Sequence, residues 1–217
     1  TAHGNYVGGI VGKLDTNSIT NCSSSLNISL SVTDSSGSGE NGNTVTQSNT
    51  GGIVGGFENS SYASVSQCAY SGTITTSGTG AFINLGGIVG IAGTISNCTT
   101  SGAINMAGGR MENVGGIAGR VYSSTTNCIS NMSITLNSNA NKYGISNIQY
   151  VGGLVGNGVT ITNCTTNGTI TASASNSFDS YYAQINYVGG LVGTAYTISS
   201  SSASGAINIK SGKSAQY

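Results

Sequence analysis

The sequence lacks proline and tryptophan and is poor in charge, with six Lys/Arg and six Asp/Glu among 217 residues. About a quarter of the residues in an average domain are charged, so this composition is unusual. The formal net charge is zero and the few basic residues do not cluster, which argues against nucleic acid or an anionic membrane surface as a partner. No apolar run reaches the ~18 residues of a membrane span, so we expect no membrane insertion.

Small and polar residues make up much of the chain, including 35 glycines. Such a composition also occurs in disordered proteins. Isoleucine and valine recur at regular intervals, however, and give each segment an apolar side chain to bury. The chain opens with "TAHGNYVGG", which lies inside a repeat and has no signal peptide. We therefore expect a segment of a longer secreted protein.

A three-part repeat occurs six times. Its first part is a Gly-Gly pair followed by two apolar residues and a glycine, at 7–12, 50–55, 85–90, 114–119, 151–156 and 188–193. Its second part ends in a cysteine, which is replaced by Ser201 in the last copy; the cysteines are Cys22, Cys68, Cys98, Cys128 and Cys164. Its third part centres on an isoleucine, namely Ile28, Ile74, Ile104, Ile134, Ile170 and Ile207.

The repeats differ in length, because the Gly-Gly pairs begin at residues 8, 51, 86, 115, 152 and 189. The three-part core does not change, so the differences are predicted to lie at one loop position, as in solenoids. The longest loops are expected at about residues 31–49, 137–149 and 173–186.

Three short strands per repeat predict an all-β fold, a parallel β-helix (β-solenoid) of about six coils with a variable loop at one corner. Equivalent strands of neighbouring coils would lie ~4.8 Å apart. A β-propeller has a similar repeat length, but it needs four antiparallel strands per blade and usually aromatic signatures. We expect one domain over residues 1–217, with repeats at approximately 6–49, 50–84, 85–113, 114–150, 151–187 and 188–217.

Stacking of equivalent residues explains the composition. Charges repeated in every coil would repel one another at ~5 Å, whereas Ser, Thr and Asn can hydrogen-bond to their copies and Ile can stack on Ile. In the third part, alternation predicts that Leu26, Ile28 and Leu30 face the interior and that a flat polar face points outward. Alternation also predicts that the neighbours Ile10 and Val11 point to opposite faces.

The pattern "GGIVG … ITNC … GTIT" resembles the GLUG-motif repeats of bacterial surface proteins, which include adhesins and the non-catalytic part of some immunoglobulin A peptidases. The resemblance covers essentially the whole chain in six copies. It implies an extracellular, cell-surface β-helix with a structural or adhesive role. No catalytic residue of the family maps onto this chain.

The cysteines occupy one position in successive repeats, and we interpret them as a ladder of buried free thiols. Stacked side chains point the same way, which disfavours disulfides, although adjacent coils are close enough for them. The sequence has no CxxC pair or histidine partner for zinc. Asparagines before four of the cysteines predict a second ladder at a coil corner, where they satisfy turn backbone groups; they are Asn21, Asn97, Asn127 and Asn163. The third-part isoleucines form a third ladder.

Two further sets of residues are candidates for modification or recognition. Sequons in predicted loops or turns would carry N-linked glycans if the source is eukaryotic; they are Asn59, Asn131 and Asn167. Tyrosines in the long loops form a candidate contact patch for a partner or a glycan; they are Tyr143, Tyr181 and Tyr182. Tyrosines before the Gly-Gly pair are expected to stack against neighbouring loops; they are Tyr6, Tyr150 and Tyr187.

The carboxylates occupy different repeat positions, whereas β-helix hydrolases and lyases need clustered acids. They are Asp15, Asp34, Glu40, Glu58, Glu112 and Asp179. His3, the single histidine, lies near the chain start, so a Ser-His-acid triad is not expected. We expect no enzymatic activity, no cofactor and no metal; a calcium site built from loop acids is the alternative.

Three functions stay open. The first is a structural or adhesive repeat segment of a surface protein or filament, which binds itself end to end or binds a host or glycan ligand at the loop edge. The second is ice binding through the flat Thr/Ser/Asn-rich face. The third is a carbohydrate-binding or carbohydrate-active β-helix.

Overall fold

The computed structural model describes residues 5–32, 48–139, 146–175 and 183–211 as six stacked coils. Their strands form three sheets, and the strands of neighbouring coils are parallel in each. This confirms the predicted parallel β-solenoid. None of the described segments forms a helix that could cross a bilayer.

The strand bounds follow the repeat. Coil 1 contains Asn5–Gly8, Val11–Leu14, Ser18–Thr20, Ser23–Ser24 and Ile28–Val32. Coil 2 contains Ser48–Gly51, Val54–Phe57, a 3-10 helix at Ser60–Tyr62, Ser64–Ser66, Ala69–Tyr70 and Thr73–Gly78. Coil 3 contains Ala81–Gly86, Val89–Ser96 and Thr99–Gly108. Coil 4 contains Arg110–Gly115, Ala118–Thr126 and Ile129–Asn139. Coil 5 contains Ser146–Gly152, Val155–Asn157, Thr160–Thr162, Thr165–Thr166 and Ile170–Ser175. Coil 6 contains Ala183–Gly189, Val192–Thr194, Thr197–Ser199, Ser202–Ala203 and Ile207–Ser211.

We name the three sheets by their place in the coil. Sheet A contains the first strand of each coil, which ends at the first glycine of the Gly-Gly pair. Sheet B runs from that pair to the corner before the cysteine, and sheet C follows the cysteine. Coils 3 and 4 have one continuous strand in each sheet, whereas the other coils divide their B and C strands in two.

The Gly-Gly segment is the corner between sheets A and B. Ile10 is half exposed and Val11 packs against the core, but in the inner coils the two equivalent residues do not point to opposite faces as the alternation predicts. In coil 2 both Ile53 and Val54 are completely buried. Their two amides donate to the same acceptor, the carbonyl oxygen of Ile88, at 3.0 Å each. The chain bends between them, so adjacent side chains both turn inward.

The inner face of sheet C contains the predicted isoleucine ladder in direct register, from Ile28 through Ile74 and Ile104 to Ile134, Ile170 and Ile207. The four middle members are fully buried. The assignment of Leu26 to the interior is wrong, because its side chain is exposed. Leu26 lies in an irregular segment between two strands, where the alternation of a regular strand does not apply.

Most of the length variation lies at one corner, between sheet C of one coil and sheet A of the next, as predicted. Coil 2 is an exception, because the 3-10 helix Ser60–Tyr62 lengthens its path through sheet B. Only Thr79 and Gly80 join coils 2 and 3, and only Gly109 joins coils 3 and 4. The predicted loop ranges are too wide, because the strands of sheets A and C extend into them; these strands end at Val32, Asn139 and Ser175 and resume at Ser48, Ser146 and Ala183.

Two glycines of the motif allow close approaches of backbone to backbone. A Cβ atom at Gly116, the second glycine of its pair, would lie 2.2 Å from the carbonyl oxygen of Gly153 in the next coil. A Cβ atom at Gly119, the third glycine, would lie 2.6 Å from the carbonyl oxygen of Asn113 in sheet A. The second glycine therefore permits coil stacking, and the third permits the backbones of sheets A and B to meet.

Candidate functional site

The cysteine ladder lies at the corner between sheets B and C. Each thiol donates to the carbonyl oxygen two residues earlier at 3.2–3.4 Å. Ser201 makes the equivalent bond to Ser199 at 2.7 Å, which explains why serine can replace cysteine. All five cysteines are free; Cys22 is half-buried and the others are buried.

Hydrogen bonds among the buried thiols move their pKa values in opposite directions. Hydrogen bonds to the thiols of Cys128 and Cys68 lower the pKa of Cys98, and a hydrogen bond to the Cys128 thiol lowers the pKa of Cys164. Hydrogen bonds to the thiols of Cys164 and Cys98, together with burial, raise the pKa of Cys128. A hydrogen bond to the Cys98 thiol, together with burial, raises the pKa of Cys68. In the described part of the chain, no three His, Cys, Asp or Glu side chains come together as metal ligands would.

We expect Cys22 alone to react with a thiol reagent such as Ellman's reagent in the native protein, because the reagent needs an accessible thiolate. Denaturant should expose all five cysteines. Cys22→Ser should abolish the native reaction without unfolding the protein, since Ser201 already occupies the equivalent position. Rapid reaction of several thiols in the native Cys22→Ser protein would contradict a buried ladder.

The corner asparagines have a left-handed backbone, with φ between 52° and 56° for Asn21, Asn97, Asn127 and Asn163. Gln67 and Ser200 take the same conformation in the two other coils. The Asn163 amide donates to Asn127 Oδ1 at 2.7 Å, and the Asn127 amide donates to Asn97 Oδ1 at 3.3 Å. Asparagine suits this corner because it tolerates positive φ and bonds to its copies.

At Asn127 we expect alanine to be more destabilising than glycine. Both substitutions remove the carboxamide bonds, but alanine also keeps a Cβ at positive φ, which costs ~1–2 kcal/mol. Urea unfolding of Asn127→Ala and Asn127→Gly measures the difference. If the alanine variant were as stable as the glycine variant, the left-handed corner would be wrong.

A second asparagine ladder lies in sheet A, two residues before the Gly-Gly pair, and the sequence analysis missed it. The Asn84 amide donates to Asn49 Oδ1 at 2.8 Å, and the Asn113 amide donates to Asn84 Oδ1 at 2.8 Å. Tyr150 and Tyr187 continue the row, with ring centroids 5.0 Å apart and planes at 6°. The two rings therefore stack on each other, rather than on loops as predicted.

A groove follows this row where sheets A and B meet on the outer surface. It consists of two adjoining cavities of about 520 and 480 Å³, which share Arg120 and Tyr122 as walls. The first cavity is lined by coils 1–4, with Asn49, Asn84 and Asn113 among its residues. The second is lined by coils 4–6, with aromatic walls from Tyr122, Tyr150, Tyr187 and Tyr196.

Most of the charged residues in the described part of the chain border this groove: Lys13, Glu58, Arg110, Glu112 and Arg120. Glu58 and Glu112 occupy different repeat positions, yet both line the first cavity. Glu58 pairs with Lys13, and Glu112 pairs with Arg110. Arg120 has no acidic partner among the described residues, and its guanidinium lies 4.9 Å from the centroid of the Tyr122 ring.

The first coil matches a known sequence motif. Residues 3–29, which include most of coil 1, match the family model described as the GLUG motif. The chain carries a GLUG motif. The strands of this GLUG coil pair in register with coil 2, and the remaining coils continue the same sheets. No curated protein and no solved structure matches the chain.

The three predicted glycan acceptors have different surroundings. Asn59 is exposed beside the groove. Asn131 lies in the strand Ile129–Asn139, so its placement in a loop or turn is wrong. Asn131 Oδ1 accepts a hydrogen bond of 2.8 Å from Asn167 Nδ2, the nitrogen that a glycan would need at Asn167.

The three tyrosines of the predicted contact patch lie outside the described residues: Tyr143, Tyr181 and Tyr182.

The outward row of sheet C passes through Ser29, Thr75, Asn105, Thr135, Thr171 and Asn208. Half of these residues are threonine, and none of the six is buried. The row is therefore polar but chemically mixed from one coil to the next.

Proposed function

We propose that this chain is a non-enzymatic, extracellular structural and adhesive rod of GLUG coils. The observation that carries the proposal is the concentration of aromatic and charged side chains in one groove of a regular rod that is otherwise poor in charge. Exposed tyrosines and arginine are typical of contact surfaces. A rigid solenoid presents such a surface along its length.

The ion pairs support binding rather than catalysis. Glycoside hydrolysis needs one carboxylic acid that is protonated and a second carboxylate free to act as a base or a nucleophile. Both groove carboxylates instead face a cation, because Glu58 pairs with Lys13 and Glu112 with Arg110. We therefore propose that the groove holds a ligand without changing it.

End-to-end stacking is the second part of the proposal. In coil 6 the apolar rows continue onto surface that is about half exposed, at Ile198, Ile207 and Ile209. Parallel strands with an unpaired edge accept another strand readily. We propose that a further GLUG coil, from a longer array or a second copy of this chain, covers this face.

Ice binding receives less support from the geometry. An ice-binding face needs a regular row of identical residues. The outward row of sheet C instead contains serine, threonine and asparagine in no regular order.

Beads coated with the purified protein test adhesion directly. We expect them to bind cells or extracellular matrix, and we expect incubation with polysaccharides to release no new reducing ends. Adhesion equal to that of uncoated beads would overturn the adhesive role. Release of reducing ends that Glu112→Gln abolishes would overturn the non-enzymatic role.

A further inference from the structure

We propose that the groove binds an extended oligosaccharide that carries carboxylate groups, such as a uronic-acid polymer. This inference rests on the proposed adhesive function and names its ligand. It places the sugar rings on the tyrosines of coils 4–6 and one carboxylate on Arg120.

The tyrosines offer exposed aromatic surface to a ligand. Tyr122, Tyr187 and Tyr196 are 40, 58 and 89% exposed, although all three line one cavity. Exposed aromatic surface concentrated at one place marks a binding site. A tyrosine ring has an apolar face and a polar hydroxyl, so it suits a sugar, which also combines C–H faces with hydroxyl groups.

Arg120 supplies the charge for an acidic sugar. It lines both cavities, and among the described residues it has no acidic partner of the kind that Lys13 and Arg110 have. Its contact with Tyr122 holds the guanidinium near the ring at 4.9 Å. A planar guanidinium can bind a carboxylate through two parallel hydrogen bonds. A polyphosphate is a poorer candidate ligand, because an isolated cation gives little affinity for it.

An unsatisfied polar atom lies at the junction of the cavities. The asparagine ladder of sheet A runs from Asn49 through Asn84 to Asn113 and ends there, because Tyr150 takes the next position in the row. Among the described residues, no donor forms a hydrogen bond to Asn113 Oδ1. Asn113 is only 3% exposed and lines the first cavity. A buried acceptor without a donor is costly, and because this oxygen is closed to solvent, a sugar hydroxyl would satisfy it only after the Asn113 side chain turns toward the groove.

The direction of the groove favours a polymer. Its lining residues come from all six coils, which repeat every ~4.8 Å along the rod. A chain molecule lying along the rod would contact several coils, and its contacts would add through multivalency.

A glycan array that contains neutral and carboxylate-bearing oligosaccharides tests the proposal with the full chain. We expect retention of carboxylate-bearing glycans, and we expect chemical reduction of their carboxyl groups to alcohols to weaken binding. Arg120→Gln should lower the affinity for the best glycan roughly tenfold, as the loss of a charge-assisted contact does. Tyr187→Ala should lower it by a similar factor.

Three controls keep the result specific. Lys210→Gln removes a cation on sheet C, outside the groove, and should bind as the wild type does. Tyr187→Phe keeps the ring and should retain most of the affinity. Circular dichroism checks that every variant keeps its β structure.

The proposal would be overturned if no glycan were retained, or if the best glycan bound Arg120→Gln and Tyr187→Ala as tightly as the wild type. Retention of neutral glycans alone would overturn the carboxylate assignment. If coated beads adhere to cells without any glycan binding, the ligand is wrong but the adhesive role stands. If the beads do not adhere, the adhesive role fails whatever the array shows.

Discussion

Gly116→Ala should unfold the solenoid or lower its free energy of unfolding by more than ~4 kcal/mol. The added Cβ would lie 2.2 Å from the carbonyl oxygen of Gly153 and close to the Ser130 side chain. Backbone of the next coil cannot move aside without breaking the sheet hydrogen bonds on either side of the corner. Urea unfolding followed by circular dichroism measures the loss.

Gly190→Ala is the matched control for this variant. Gly190 holds the same place in the sixth Gly-Gly pair, but the nearest atom to an added Cβ is the Ala203 side chain, at 3.1 Å. We therefore expect Gly190→Ala to cost less than ~1 kcal/mol. Equal effects of the two substitutions would show that coil stacking does not require the second glycine.

Ile134→Ala should lower the free energy of unfolding by about 2–5 kcal/mol, because it leaves a cavity in a fully buried row. Ile134 stacks in register between Ile104 and Ile170, so two coils lose contacts at once. Ile207→Ala removes the same atoms at the end of the row, where the side chain is 45% exposed. Its cost should be less than half as large, as measured by the same urea unfolding. A cost at Ile207 equal to that at Ile134 would contradict the order of burial along the row.

The sequence was sufficient to predict the coils because each coil repeats the same local signals. The Asn-Cys corner and the isoleucine of sheet C follow the Gly-Gly pair in the same order in each coil, and the structure places them in register. Predictions failed where the chain turns. Ile53 and Val54 are adjacent yet both buried, because a bend replaces the alternation of a straight strand.

The groove was harder to predict because its residues come from different repeat positions. Arg120 and Tyr122 follow the Gly-Gly pair in sheet B, whereas Glu112, Asn113 and Tyr150 precede the pair in sheet A. They become neighbours where the third glycine of the motif lets the backbones of sheets A and B approach each other. One signal was available: Tyr122 and Tyr196 have the same spacing from their Gly-Gly pairs.

Electron microscopy of the purified protein tests the stacking rod most directly. We expect filaments in which the coils continue from one chain to the next, with an axial rise of ~4.8 Å per coil. Ile207→Asp, which places a charge on the half-exposed apolar row of coil 6, should shorten or abolish them. Isolated rods the length of one chain, at every concentration and unchanged by Ile207→Asp, would contradict end-to-end stacking of this chain.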